Sequence, residues 1–440
     1  MAPGAAPCAA ADAQPPRGEQ VWLAVSDIHL DVLDRSRRPS AYGRDTNVAL
    51  FQSALSHMRR VAPNATAVLI SGDFLAHGLG RHAALERKTP EEVALRTMRW
   101  IANGFARAFP RAQFAIALGN NDVPCGDYRS ANGSAYLRSV ARTWSPLVDR
   151  GGAAPEFEAS FARAGHYVAA LPVPGLRLVV LDTIPLSYRY AGDCASSSVQ
   201  PGDQELAWMT TTLDGTPPGS RNVVMMHVPP GFDAFSTNYT DGLLAWPFFK
   251  RQYAARFVAA LANERHRVAY ALAGHTHRFD FRMAGDVPIV VLGSLSPVYG
   301  NDTTFYVLRI AADGSLRDIE MYSFDQRLQG WLPAHSFDRS WGLGLDGASL
   351  RRLHTTLANV PAARVHWQYQ AEGWPSDLVE DPGAWGGRRW RVSWCAQTFL
   401  IQGFAGCAGI EHRIQLLAGG VALIAAAIMF LLALFLRRRA

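Results

Sequence analysis

The chain has 440 residues, 49% apolar and 18% charged, a composition that excludes a disordered polyelectrolyte and allows one large domain with additions or two ordinary domains. Of its formal net charge of +6, three charges are the terminal Arg437, Arg438 and Arg439, and the remaining bias is too weak to argue for nucleic-acid recognition. Five cysteines are too few for a disulfide scaffold.

Residues 1–19 are rich in Ala, Pro and Gly without periodicity, so the chain is expected to be disordered there. They have neither a basic start nor an apolar run, so no signal peptide is predicted. From Gln20, short apolar runs read as buried strands: 21–27, 65–73, 113–122, 176–183, 221–230, 267–277 and 286–294. Helical stretches separate them, notably 48–61 and 90–109. That alternation predicts a layered α/β core over residues 20–310. Residues 311–410, amphipathic around 350–360 and Trp-rich at Trp385, Trp390 and Trp394, are expected to form a C-terminal subdomain.

Residues 414–436 carry no charge, and Gln415 is their only clearly polar side chain. A helix over this segment would run roughly 34 Å at about 1.5 Å per residue, enough for about 30 Å of hydrocarbon. A single transmembrane helix is therefore expected, followed by a basic tail at 437–440. The arginines place that tail in the cytosol and the catalytic part in a lumenal or extracellular space. A cleaved lipid-anchor signal is the rival reading, and the trailing arginines oppose it. N-glycosylation patterns begin at Asn64, Asn132, Asn238 and Asn301. Cys125 with Cys194 and Cys395 with Cys407 are candidate pairs; the alternative is four buried thiols, and Cys8 stays unpaired either way.

The chemistry collects where strands stop. Asp27-Ile28-His29 follows the first strand, Gly72-Asp73 the second, Gly119-Asn120-Asn121-Asp122 the third, His227 a later one, and Gly274-His275-Thr276-His277 the next. Spacing of i and i+2 on extended backbone would put Asp27 and His29 on one side, and likewise His275 and His277. In open α/β sheets, sites form at the carboxyl ends of strands. Two Asp, one Asn and four His make a mixed N/O donor set suited to two divalent transition-metal ions, zinc first and manganese or iron next, rather than calcium. Each motif alone is weak; the ordered set is strong.

This set resembles the calcineurin-like metallophosphoesterases over roughly residues 20–310, most closely the branch of acid sphingomyelinase-like phosphodiesterases and endopolyphosphatases. The similarity extends to Tyr42-Gly43, His77, Gln204-Glu205-Leu206-Ala207-Trp208, His227-Val228-Pro229-Pro230-Gly231 and the run from Ser294 to Asn301. The resemblance implies a four-layer α-β-β-α sandwich of two mixed sheets. It implies one metal on Asp27, His29, Asp73 and His277, a second on Asp73, Asn120, His227 and His275, and a metal-activated hydroxide that attacks phosphorus. Most of the superfamily has a histidine where Asn121 stands, and an amide cannot act as a general acid. His77 is the expected substitute.

The function expected is hydrolysis of phosphoanhydride or phosphodiester bonds. An endopolyphosphatase comes first, because a phosphoanhydride leaving group needs little protonation and no lipid-presenting saposin-like domain precedes the core. A sphingomyelinase-like enzyme acting on nucleotides or phospholipids is the alternative. From another class comes a catalytically silent, membrane-anchored binding protein. The expected partners are a phosphorylated substrate and, through residues 414–436, the lipid bilayer.

Overall fold

The computed structural model describes residues 18–194, 200–240, 243–373, 388–410 and 428. One six-stranded sheet has the order β14-β13-β12-β1-β4-β5: β1 (Gln20–Val25), β4 (Ala67–Ile70), β5 (Gln113–Ile116), β12 (Thr303–Ile310), β13 (Leu316–Asp325) and β14 (Gly330–Ser336). The other has the order β10-β11-β9-β8-β7-β6: β6 (Tyr167–Ala170), β7 (Leu176–Val180), β8 (Arg221–Met225), β9 (Val268–Ala273), β10 (Asp280–Ala284) and β11 (Val287–Val291). A small parallel pair, β2 (Leu30–Asp31) and β3 (Thr46–Asn47), flanks the first. In the first sheet β1, β4 and β5 are parallel and β12 to β14 antiparallel. In the second β7, β8, β9 and β11 are parallel, with antiparallel strands at both edges.

The helices in chain order are α1 (Val48–Val61), α2 (Leu79–Leu85), α3 (Pro90–Ala108), α4 (Ala135–Val148), α5 (Phe157–Ala164), α6 (Pro201–Asp214), α7 (Ala234–Tyr239) and α8 (Arg251–Ala262). They continue with α9 (Phe337–Trp341), α10 (Gly347–Asn359), α11 (Pro361–Glu372), α12 (Arg388–Thr398) and α13 (Phe404–Ala408). α3 shows the local signals that start a helix. Thr89 accepts from the Glu92 N–H, the Glu92 carboxylate accepts from the Thr89 N–H, and Pro90 occupies the first turn.

The parallel strands read as unbroken apolar runs because both faces are covered. Successive residues along β8 and just past its end alternate between two cores: Val223 and Met225 belong to the one shared by the two sheets, Val224 and Met226 to the one beneath α6 and α8. α1, α3 and α4 contribute to the larger core. The layering is therefore helices, sheet, sheet, helices.

All seven predicted strands are present, each shorter at its carboxyl end than expected, since β1 stops at Val25, β4 at Ile70 and β9 at Ala273. The residues beyond are loops carrying the polar groups. β13 and β14, which the sequence reading set apart in a C-terminal subdomain, extend the first sheet, β13 pairing with β12 and β14 with β13. Among the described residues no helix is long and apolar enough to cross a membrane. The predicted span 414–436 lies outside the described residues apart from Ile428, as do residues 1–17 and Trp385. Disulfides join Cys125 to Cys194 and Cys395 to Cys407. Asn301 is 1% exposed and its amide donates to the Ser296 and Asp302 carbonyls, so the folded chain offers no glycan acceptor there.

Phe257 of α8 is fully buried in the second core. Phe257→Ala is expected to destabilise the fold by about 3–5 kcal/mol, measured as a lowered denaturant midpoint with metal content per folded molecule unchanged.

Candidate metal centre

The carboxyl ends of β1, β4 and β5 meet those of β8 and β9 where the two sheets adjoin, and backbone hydrogen bonds stitch the loops together. Asp27 N–H donates to the Gly72 carbonyl at 3.0 Å, His29 N–H to Asp73 at 2.9 Å and Gly274 N–H to His227 at 3.0 Å. Asp27, His29, Asp73, His275 and His277 all have positive φ, between 41° and 75°. The extended geometry expected for Asp27-Ile28-His29 and His275-Thr276-His277 is thus corrected. Left-handed turns, not strand alternation, aim each pair inward, at about 1–3 kcal/mol of strain per residue. Gly72 leaves the room: a Cβ there would lie 2.8 Å from both the Gly119 nitrogen and His227 Nδ1.

All seven residues expected as ligands come to this one edge. Asp73 Oδ2 is 3.3 Å from His29 Nε2 and 3.3 Å from His227 Nε2. Asp27 Oδ1 is 3.3 Å from His277 Nε2 and 3.9 Å from both His29 Nε2 and His227 Nε2. Asn120 Oδ1 lies 3.1 Å from His227 Nε2. Ligand atoms of Asp27, His29 and His277 gather within 4.8 Å of one another, and so do those of Asp73, His227 and His275. Donors about 2.0–2.2 Å from one ion lie about 3.0–3.5 Å apart, the spacing seen here.

The tautomers point the same way. His29 Nδ1–H donates to the Leu75 carbonyl at 3.0 Å and His227 Nδ1–H to the Ser71 carbonyl at 2.8 Å. A carbonyl only accepts, so both Nε2 atoms turn lone pairs into the site. His29 Nε2 and His277 Nε2 face each other at 3.2 Å. Asp27 Oδ2 accepts from the Ser26 hydroxyl and from His275 N–H, whereas Oδ1, fully buried, has no hydrogen-bond partner among the described residues. Opposed lone pairs around a bare buried carboxylate oxygen are costly unless a cation lies among them. The donor set therefore fits divalent metal ions.

Electrostatics carry the same signature. His227 is pushed up to about 10, because Asp73 and Asp27 outweigh the burial that would lower it. Burial takes His29 down to about 4 and, with the charge of His227, His275 down to about 3. Burial would raise Asp27, but His277 and His227 hold it well below the usual carboxylate range. Protons and cations thus compete for one cluster.

The remaining expected residues have other duties. Asn121 holds the shared carboxylate: its N–H donates to Asp73 Oδ1 at 2.8 Å and its Nδ2 to Oδ2 at 3.2 Å. His77 stacks on His29 with centroids 4.2 Å apart. The Asp45 carboxylate accepts from His77 Nδ1–H at 2.8 Å and from its backbone N–H at 2.7 Å. Of the aromatics near the centre, Phe232 stacks on Phe404, Tyr42 bonds to Asp302, and Phe235 is half exposed beside the cavity.

Sequence reasoning assigned no role to Asp122, Asp45, Asp127, Tyr128 or Tyr299. Asp122 accepts the N–H groups of Gly119, Asp73, Phe74 and Leu75 at 2.6–3.3 Å, clamping two loops, and burial with the charge of Asp73 pushes it up to about 7. Asp127 accepts from Asn120 Nδ2 at 2.7 Å, turning that amide's oxygen inward. The Tyr128 hydroxyl lies 3.1 Å from His275 Nε2, and Tyr299 stands against His277 and within 3.3 Å of His77 Nε2. Only Asp122 had a legible signal, a carboxylate three residues after a strand-end glycine. A cavity of about 300 Å3 opens over the centre, with Arg189 and Arg278 as the cations in its wall and Asp127 and Asp233 among its acids.

Comparisons with known proteins bear on this arrangement. The family model described as calcineurin-like phosphoesterase matches residues 22–279. Sphingomyelinase phosphodiesterase D of Dictyostelium discoideum is 26% identical over 329 residues, 69% of this chain and 69% of that protein. Human acid sphingomyelinase-like phosphodiesterase 3b is 25% identical over 251 residues, covering 56% of this chain and 50% of that one. The endopolyphosphatase of Schizosaccharomyces pombe is 24% identical over 212 residues, 46% and 35% of the two chains.

Two outcomes are expected. Asp122→Ala strands four backbone N–H groups and should cost about 3 kcal/mol or more, with metal content falling alongside the thermal midpoint. Because His227 must lose its proton to offer a lone pair, metal retained after dialysis, measured by elemental analysis, should fall as pH drops from 8 to 5.

Proposed function

The chain belongs to the calcineurin-like phosphoesterase family, and on that premise we propose that this hydrolase cleaves phosphodiester bonds with two divalent metal ions at the joint between its sheets. The observation that carries the reading is the single Asp73 oxygen 3.3 Å from imidazole nitrogens of both sheets. Asp27, His29, Asp73 and His277 would hold one ion and Asp73, Asn120, His227 and His275 the other, with zinc, manganese or iron matching the donors. When bound, such ions neutralise phosphoryl oxygens and make water acidic enough to supply hydroxide. The chain's own residues do the rest. Ser26 and the His275 N–H hold Asp27, Asn121 holds Asp73, Asp127 turns Asn120, and Asp122 keeps their loops together.

His77 is assigned the proton. Asp45 binds its Nδ1–H, leaving Nε2 toward the cavity. Burial lowers the pKa of His77, but the hydrogen bond and charge of Asp45 outweigh it and raise it above the ordinary value. The protonated ring gives its Nε2 proton to the leaving oxygen, a role the amide of Asn121 cannot fill.

The cavity wall guides the choice of substrate. Besides Asp73, assigned to the metals, its two guanidiniums are offset by the carboxylates of Asp127 and Asp233, and Arg278 is already paired with Glu372. That balance suits one phosphate group better than the long polyanion that the sequence reading ranked first. Polyphosphate stays as the second reading on one observation, Asn121 in place of a histidine. Two disulfides support an oxidising compartment, lumenal or extracellular, for the catalytic part. We retain residues 414–436 as its membrane anchor.

Asp73→Asn should abolish hydrolysis of bis(4-nitrophenyl) phosphate and strip metal; unchanged metal content and rate in this variant would end the proposal. His77→Ala should lower kcat by about 10²–10⁴-fold at unchanged metal content. Since protonated His77 is the active form, kcat should fall as pH rises through its raised pKa, and Asp45→Asn should move that alkaline limb to lower pH. Comparing long-chain polyphosphate with the diester on one preparation ranks the two readings by kcat/KM.

A further inference from the structure

Tyr128 lines the cavity over the metal centre, on the loop that follows Asn120. Its backbone lies at φ 52°, in the left-handed region that side chains seldom adopt. Such a conformation persists only where its surroundings over-determine it. Here Tyr128 N–H donates to the Asn120 carbonyl at 3.0 Å, and the Tyr128 carbonyl accepts from Ala191 N–H at 2.8 Å. Ser130 N–H to Gly192 at 3.2 Å and Cys194 N–H to Ser130 at 2.8 Å continue that seam, and the Cys125–Cys194 disulfide closes it. The side chain, 7% exposed, meets His275 edge to face, with the Arg189 guanidinium 5.6 Å over its ring. A doubly tied loop thus holds one phenol at the cavity edge.

The hydroxyl has one hydrogen-bond partner among the described residues, His275 Nε2 at 3.1 Å. That contact settles where two protons go. His29 and His227 spend Nδ1 on carbonyls and keep Nε2 for an ion, whereas His275 has its Nε2 engaged by Tyr128, so Nδ1 is the nitrogen left for one. A neutral imidazole that gives its Nδ1 lone pair to a cation carries its proton on Nε2. Tyr128 Oη accepts that N–H, and its own O–H is left without an acceptor in the protein. A phenol keeps its proton at neutral pH, and a buried donor without a partner is costly. The cavity that the ring lines is where an acceptor can arrive. His77 stacks on His29, expected on the first ion, while Tyr128 stands against His275, expected on the second. With His77 assigned to the leaving oxygen, a non-bridging oxygen is the acceptor that remains for Tyr128.

We propose that Tyr128 is a further catalytic residue, whose O–H donates to a non-bridging phosphoryl oxygen of the substrate and grips it more tightly as charge builds there in the transition state. The assignment rests on the reading of the centre as a phosphodiesterase and adds to it a donor supplied by the protein itself. The phenol keeps its proton throughout, so no bond is made or broken at Tyr128.

Tyr128→Phe keeps the ring and its contacts and removes only the hydroxyl. In the metal-loaded full chain it should lower kcat for bis(4-nitrophenyl) phosphate by about 10²-fold, with KM within about twofold. Metal content by elemental analysis should be unchanged. Orthovanadate, which mimics the phosphoryl group in the transition state, should bind at least about tenfold more weakly by calorimetry. An unchanged kcat or an unchanged vanadate affinity would overturn the assignment. So would a fall in metal content with turnover per bound metal unaltered, the pattern of a residue that only supports His275. If the unaltered protein cleaves no diester, the phosphodiesterase reading fails by itself and vanadate alone decides on Tyr128. Weaker binding by the variant then sustains the contact; equal binding, or none by the unaltered protein, refutes it. Should Tyr128→Phe not fold, 3-fluorotyrosine at position 128 takes its place. Its fluorine resonance should move when vanadate is added to the metal-loaded protein, and an unmoved resonance refutes the contact.

Discussion

The structure turns on one carboxylate, Asp73, set at the joint of two sheets. One of its oxygens lies equally far from an imidazole after β1 and an imidazole after β8. Neither ring can turn away, because each spends its other nitrogen on a backbone carbonyl of the β4 loop. Nor can the carboxylate, gripped twice by Asn121. The layers on either side exist, in functional terms, to hold these groups within about half an ångström of their working positions.

Such an arrangement works against stability. Five residues adopt left-handed backbone and two carboxylates are buried among imidazoles, each feature unfavourable in the absence of a cation. The opposing stabilisation comes from two apolar cores and from the Asp122 clamp, which satisfies four N–H groups that the turns would otherwise strand. Strain is tolerated at the site because the surrounding layers over-determine it. A metal ion bound there would relieve the electrostatic part of the burden, which couples folding to metal supply.

The C-terminal helices are more than an appendage to this core. They close a cavity that runs into the one above the metal centre, so the chain after β14 shapes what can approach the phosphate-binding edge.

The strand-end motifs determined where chemistry would lie. Asp and His residues directly after apolar runs are legible because strand position and ligand chemistry are both local properties, and the seven residues named from them do meet. The parallel order of β1, β4 and β5 was implicit in the same alternation. The exact turns were not: left-handed backbone at Asp27 or His275 has no composition signal, since it is imposed by contacts with the neighbouring loop. Asp45 and Asp127 were silent for a like reason. Asp45 acts on a group 32 residues away, and Asp127 takes its meaning from which side of Asn120 faces inward. The placement of β13 and β14 in the first sheet, and the second cavity, depend on pairing and packing between segments far apart in the chain. Sequence by itself determined which atoms were available to hold a metal; tertiary structure alone decided their spacing, their protonation and the shape of the space beside them, because those follow from distances that only the packed layers define.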